Sequence, residues 1–262
     1  MKILIAGDVV GAPGRAVFGK VASAMKEQGK ADFVVVNGEN AAGGKGITGP
    51  LVNELLEGGA DVITMGDHTW DKKEIESRMD DLPRLVRPAN YPPGCPGTGR
   101  VTVSVGPCRV TVINLLGRVF MPPMDCPFRT ADAVLEEEQN NADVTLVDIH
   151  AEATSEKLAI GRYLDGRVTA VVGTHTHVQT SDERVLPGGT AYITDAGMTG
   201  VTDSVLGRDI ELVTKTFLTG MPSRFRMARG KAVLEGVIVD ADEDSGKARA
   251  INRLRINSPE TE

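Results

Sequence analysis

Cysteine is scarce and unpaired in this chain: Cys95, Cys108 and Cys126 lie far apart and make no CxxC. That excludes a disulfide framework and a cysteine-ligated zinc site, and an odd number of thiols suits a reducing compartment. Long apolar runs are missing too. None approaches the roughly 18 residues a membrane span needs, and the carboxylate of Asp8 comes too soon for a secretory apolar region. A cytoplasmic protein without membrane contact is expected. Positive charge is not in excess, with 29 Lys and Arg against 36 Asp and Glu. No global field therefore holds nucleic acid non-specifically, and any nucleotide must be caught locally. Only ten aromatic rings are present, one Trp, three Tyr and six Phe. That favours a small nucleotide over a long strand of stacked bases. Repeats and low-complexity tracts are absent.

What is there is an ordinary globular composition, 41% apolar and 25% charged. Its 262 residues favour one large domain. Short apolar runs rich in branched residues, at 2–6, 33–36, 62–65, 144–149 and 168–172, read as buried strands. Helical stretches at 16–28, 50–57, 72–79 and 155–164 lie among them. This alternation implies an α/β fold with a partly parallel sheet. Residues 101–105 and 109–115 around Gly106-Pro107-Cys108 read as a hairpin, an antiparallel component. Strands at 191–194 and 232–239 come late. The proline- and glycine-rich stretch 87–100 is expected as a surface loop, and the last ten or so residues as a frayed tail. The segment 116–130, centred on Met-Pro-Pro-Met-Asp-Cys-Pro, interrupts the fold and is expected as a lid-like insertion.

The chemistry collects at strand ends. The chain has four histidines, His68, His150, His175 and His177, and each directly follows a predicted strand. Asp8 and the pair Glu39-Asn40 follow two more strands, and Asp67 precedes His68. Residues just beyond the carboxyl ends of parallel strands line the ligand crevice of such sheets. Imidazoles and carboxylates without thiolates suit iron, manganese or zinc. The candidate ligands exceed the needs of one ion. Two ions about 3.5–4 Å apart, sharing a carboxylate, would use them all and suit phosphate-ester hydrolysis.

Taken singly, each residue has a plainer reading. Asp8 and Glu39-Asn40 can serve turns, and His68 or His150 can be a satisfied histidine. Gly7, Gly11 and Gly14 miss the GxGxxG spacing. His175-Thr176-His177 is sharper, because residues i and i+2 of an extended segment point the same way. Two other proteins would share such a site: a non-catalytic metal- or nucleotide-binding regulator on the same fold, and a different dinuclear metallohydrolase.

The order of these motifs resembles the calcineurin-like metallophosphoesterases, and nearly the whole chain is similar to their YmdB-type branch. The resemblance rests on Gly7-Asp8-Val9-Val10-Gly11, Gly38-Glu39-Asn40, Gly66-Asp67-His68-Thr69-Trp70-Asp71, Asp148-Ile149-His150-Ala151-Glu152, Gly173-Thr174-His175-Thr176-His177 and Thr194-Asp195-Ala196-Gly197-Met198-Thr199-Gly200. It implies a four-layer αββα sandwich and a phosphodiesterase acting on 2′,3′-cyclic nucleotides. It further implies two metal ions per chain, commonly iron. By the same resemblance Asp8, Asn40 and His177 hold the first ion, Glu39 bridges, and Asp67, His150 and His175 hold the second. His68 is then the general acid, with Asp71 either orienting it or capping the next helix. Val10 stands where most of the superfamily place a histidine, and Asp67 where the pattern has Asn.

Substrate contacts are less legible. Lys45 in Gly43-Gly44-Lys45-Gly46, and Arg118 and Arg129 around the insertion, are the candidate cations. Trp70, Tyr91 and Phe120 are the candidate stacking rings. An α/β enzyme of this size is often a homo-oligomer, and no residue marks an interface.

Overall fold

The computed structural model describes residues 1–138, 142–223 and 226–257. The chain runs through β1 (Lys2–Ala6), a short β2 (Asp8–Val9), α1 (Gly11–Glu27), β3 (Phe33–Asn37), α2 (Gly49–Glu57), β4 (Val62–Thr64), α3 (Lys73–Arg78) and β5 (Leu85–Val86). The hairpin of β6 (Arg100–Val105) and β7 (Cys108–Leu116) follows, then α4 (Pro127–Glu137), β8 (Val144–His150), α5 (Thr154–Tyr163), β9 (Ala170–Thr174), β10 (Arg184–Val185) and β11 (Ala191–Ile193). β12 (Met198–Val201), α6 (Ile210–Thr219), β13 (Ala232–Ala241) and β14 (Ala248–Asn257) complete it.

Two mixed sheets result, one ordered β2-β12-β13-β1-β3-β4-β5 with β14 on β13, the other β10-β11-β9-β8-β7-β6. β1, β3, β4 and β5 pair in parallel, as do β7, β8, β9 and β11. β13 runs antiparallel to β1, and β6 to β7.

Strand periodicity of two explains the layers. Ile3, Ile5, Phe33 and Val35 face the second sheet, where Val110, Val112, Leu146 and Val172 meet them. The alternate residues Leu4, Ala6, Val34 and Val36 pack on Val17, Phe18 and Val21 of α1 and Val52 and Leu55 of α2. In the second sheet Ile113, Leu115, Val147 and Ile149 turn outward onto Ala131 and Val134 of α4, Ile160 of α5 and Leu164 just after it. Three apolar layers between four structural ones make the αββα sandwich that was expected. No helix among the described residues is long and apolar enough to cross a membrane.

Three expectations need correction. Residues 87–91 of the proline-rich stretch are mostly buried, because Arg87 turns inward to donate to the carbonyls of Pro88, Cys95 and Pro96. Asn90, 1% exposed, likewise ties down the carbonyls of Leu116 and Asp125. The tail is not frayed through residue 257: β14 pairs with β13 along its whole length, its charged residues facing outward. Residues 258–262 lie outside the described residues. The proline-rich insertion is irregular only as far as Cys126, since Pro127 starts α4, a position where a missing N–H costs nothing. Its entrance is fixed by the Glu156 carboxylate, which accepts from the backbone N–H groups of Arg118 and Val119.

Candidate metal centre

The carboxyl ends of five parallel strands, from both sheets, meet at one edge. Asp8 follows β1, Glu39 and Asn40 follow β3, and Asp67 and His68 follow β4. His150 closes β8, while His175 and His177 follow β9. The strand pairing sets these positions, so separations of more than a hundred residues in sequence become a few ångströms in space.

Ligand atoms of Glu39, Asp67, His150 and His175 all lie within 4.8 Å of one another. His150 Nε2 stands 3.1 Å from Glu39 Oε1 and 3.3 Å from Asp67 Oδ1. His175 Nδ1 is 3.0 Å from the same His150 nitrogen. A second group adjoins the first. The Asn40 side-chain amide lies 3.4 Å from Asp8 Oδ1, 3.2 Å from Glu39 Oε1 and 3.2 Å from His177 Nε2. Glu39 therefore touches both groups, and its second oxygen accepts from the backbone N–H of His68.

The surroundings fix each ring. His150 Nδ1 lies 2.9 Å from Thr174 Oγ1, which itself donates to buried Asp148 at 2.7 Å. With the hydroxyl hydrogen so committed, Nδ1 carries the hydrogen and Nε2 faces the cluster. His177 Nδ1 reaches the Leu206 carbonyl at 3.3 Å, which likewise turns its Nε2 inward. His175 and His177 take left-handed φ values of 100° and 62°, strain of about 1–3 kcal/mol each. Asp195 holds this turn by accepting from the backbone N–H and hydroxyl of Thr176, and buried Lys157 neutralises it at 2.7 Å. Gly66 has a steric reason to be glycine: a Cβ there would strike the Glu39 carboxylate and the His150 ring.

The charges suit a cation. Asp8 and Glu39 are buried, and their ionic partners, like those of Asp67, are imidazoles. Burial pushes Asp8 up to about 6 against the pull of His177 and His150. Burial works against ionisation of Glu39 and Asp67 as well, yet the charge and hydrogen bonds of His150 outweigh it and lower both. Burial alone would lower His150, but Glu39 and Asp67 raise it well above the usual imidazole range. Burial and the His150 charge take His175 down to about 4. Such a knot of carboxylates held by protonated imidazole is one that a metal ion can replace proton for charge.

His68 stands at the rim, its Nδ1 3.1 Å from Asp71 Oδ2. Asp71 does not cap the following helix: α3 begins at Lys73 after Lys72, without a side-chain cap. A cavity of about 360 Å³ opens over the cluster, lined among others by Glu39, Asn40, His68, His175 and His177. Lys45, Arg118, Trp70, Tyr91 and Phe120 do not line it. Lys45, Arg118 and Phe120 point to solvent, while Trp70 and Tyr91 pack edge to face at 5.8 Å. Glu152, Arg208 and Phe217 do line it and were not anticipated. Glu152 Oε2 is 3.2 Å from His175 Nε2. Its sequence signal was the i+2 spacing after His150. Nothing local marked Arg208 or Phe217.

Comparison with known proteins shows the family. The model of the YmdB-like protein family matches residues 4–254. The chain belongs to that family. It is 53% identical to the 2′,3′-cyclic-nucleotide 2′-phosphodiesterase of Bacillus subtilis, covering 98% of this chain and 97% of that protein. A solved Thermus thermophilus structure superposes with a TM-score of 0.93 at 44% identity, covering 99% of this chain and all of the other. The NAD nucleotidase of Haemophilus influenzae shares the fold alone, with a TM-score of 0.61 at 12% identity over 98% of this chain and 56% of its own.

Proposed function

We propose that this YmdB-like chain is a phosphoric diester hydrolase acting on small diesters, 2′,3′-cyclic nucleotides foremost, with a dinuclear metal centre and His68 as general acid. The observation that carries the reading is Glu39: one buried carboxylate lies 3.1 Å from His150 and 3.2 Å from Asn40, and so belongs to two ligand groups at once. On this reading Asp8, Asn40 and His177 hold one ion, Asp67, His150 and His175 the other, and Glu39 both. An amide flip would present the Asn40 oxygen to a cation among those acceptors. Oxygen and imidazole donors without thiolate suit iron, manganese or zinc, and the family resemblance puts iron first. When bound, two such ions supply Lewis acidity to the phosphoryl oxygens and lower the pKa of the attacking water.

The remaining work falls to the chain. A ribose alkoxide is a strong base, so its departure needs a proton. His68 supplies it: Asp71 engages Nδ1 and orients the ring, leaving Nε2 to donate at the leaving oxygen. The Glu39 bond to the His68 backbone ties this acid to the shared carboxylate. A regulator that only bound metal would have no use for such a dyad. The inter-sheet core supports reading residues 1–262 as one domain, in which the 116–130 segment serves as a lid whose exposed tip is Phe120. The deciding experiment is elemental analysis of protein purified without chelators, followed by assay on 2′,3′-cyclic nucleotides. About two metals per chain and diester turnover are expected. No metal uptake, or full metal occupancy without turnover, would defeat the reading.

A further inference from the structure

The cavity over the ligand cluster has two chemically different walls. One is the cluster with His68. The other comes from 205–217 and is largely apolar: Val205, Leu206, Val213 and Phe217, with Arg208 among them. Val213 and Phe217 are four residues apart on α6 and so share one face of it. α6 is a well-terminated helix that buries none of its residues. Asp209 accepts from the Leu212 N–H at its start and also holds Arg226, while Gly220 ends it in the left-handed conformation. Such a helix is not kept for the core. It forms a wall, and the wall is fastened to the ligand cluster, because His177 Nδ1 meets the Leu206 carbonyl. Among the described residues Phe217 is the one phenyl, phenol or indole ring lining the cavity, and at 85% exposure little of the protein covers it.

We propose that Phe217 is the stacking platform for the nucleobase of the substrate, so that α6 selects base-bearing diesters. The inference rests on the diester reading above and deepens it. The phosphate end of a nucleoside cyclic phosphate needs the polar wall, and its flat apolar end needs a ring beside it. The 360 Å³ of space lies within the range of small-ligand sites. Base stacking on an aromatic ring is sequence-tolerant, so purines and pyrimidines are both accepted.

The test compares adenosine 2′,3′-cyclic phosphate with the base-free methyl riboside 2′,3′-cyclic phosphate on metal-loaded protein. For Phe217→Ala the ratio of kcat/KM between the two falls by roughly tenfold, through KM for the nucleotide rather than through kcat. Phe217→Trp restores it. Because the ring is exposed, neither variant endangers folding. Equal losses on both substrates, or no loss, overturn the proposal. So does a change in sedimentation coefficient with Phe217→Ala, which would show that a second copy covers this face. If wild-type protein cleaves neither compound, the diester reading fails, and calorimetry then decides about Phe217. Weaker binding of adenosine 3′-monophosphate, but not of ribose phosphate, by Phe217→Ala sustains the stacking role, and equal affinities refute it.

Discussion

His150 closes a strand paired along its length on both sides, whereas His177 stands beyond the end of β9 in a turn with a φ of 62°. The first imidazole is braced from within the sheets, through Thr174 to Asp148, and Thr64 and Asn37 complete the coordination of that carboxylate. The second is braced from afar. Its own ring leans on Leu206, and its turn hangs on Asp195, which in turn depends on Lys157. A strand end places a ligand at no cost in strain, and a left-handed turn places one only while outside bonds hold it. His150 is therefore rigidly placed within its half, whereas His175 of that same half and His177 of the other stand in a turn that other segments can reach.

The largest effect should come from a residue belonging to neither half. On the dinuclear reading proposed above, His68→Ala is expected to keep both halves metal-loaded and yet lose about 10²–10⁴-fold in kcat on a diester with a poor leaving group. Metal counting beside steady-state kinetics checks this, and near-wild-type turnover would remove His68 from the mechanism. Asp195→Ala comes next. It strands Lys157, 1% exposed, as an unpaired buried charge and should cost about 3–5 kcal/mol in denaturant unfolding. Its turn carries both His175 and His177, so metal affinity should fall as well. Unchanged metal affinity would erase the difference between a ligand braced by a strand and ligands braced by a turn.

Thr174→Val cuts the link from His150 to Asp148 while keeping the side chain's volume. Chelator competition should show metal affinity reduced about 10–100-fold, and confined to the His150 half. The smallest effect is one of pH. Asp8, pushed up to about 6 by burial, holds a proton that a metal must displace below that pH. Affinity of its half should then fall by up to about tenfold per unit of acidification. Asp67, held well below the usual carboxylate range, stays ionised and adds no break there. Metal titrations between pH 7.5 and 5 would show the break near 6, and a flat response at the Asp8 half would contradict it.

Much of this was legible in advance for a simple reason. The buried parallel strands carry their pattern in a few adjacent residues, and the chemistry follows directly after them, so motifs such as Gly66-Asp67-His68 mark both element and site. Elements too short to show a period, or whose apolar face is thin or unpartnered, were not legible. β2, β5 and β10 have two residues each, β14 carries charge on its outward side, and α6 shows an apolar face with no core to receive it. Lys45, Arg118 and Phe120 had the right chemistry but stand in solvent, while Arg208 and Phe217 come from a segment whose only link to the site is spatial.

The sequence by itself determined the α/β class, the places of the core strands along the chain and the supply of imidazoles and carboxylates at their ends, because each depends on residues within a few positions of one another. Only the tertiary structure decided that Glu39 lies between two ligand groups, that Asp148 and Asp195 brace them, and that α6 walls the cavity. Those are contacts between residues far apart in the chain, and the packing of two sheets on one another is what brings them within bonding distance.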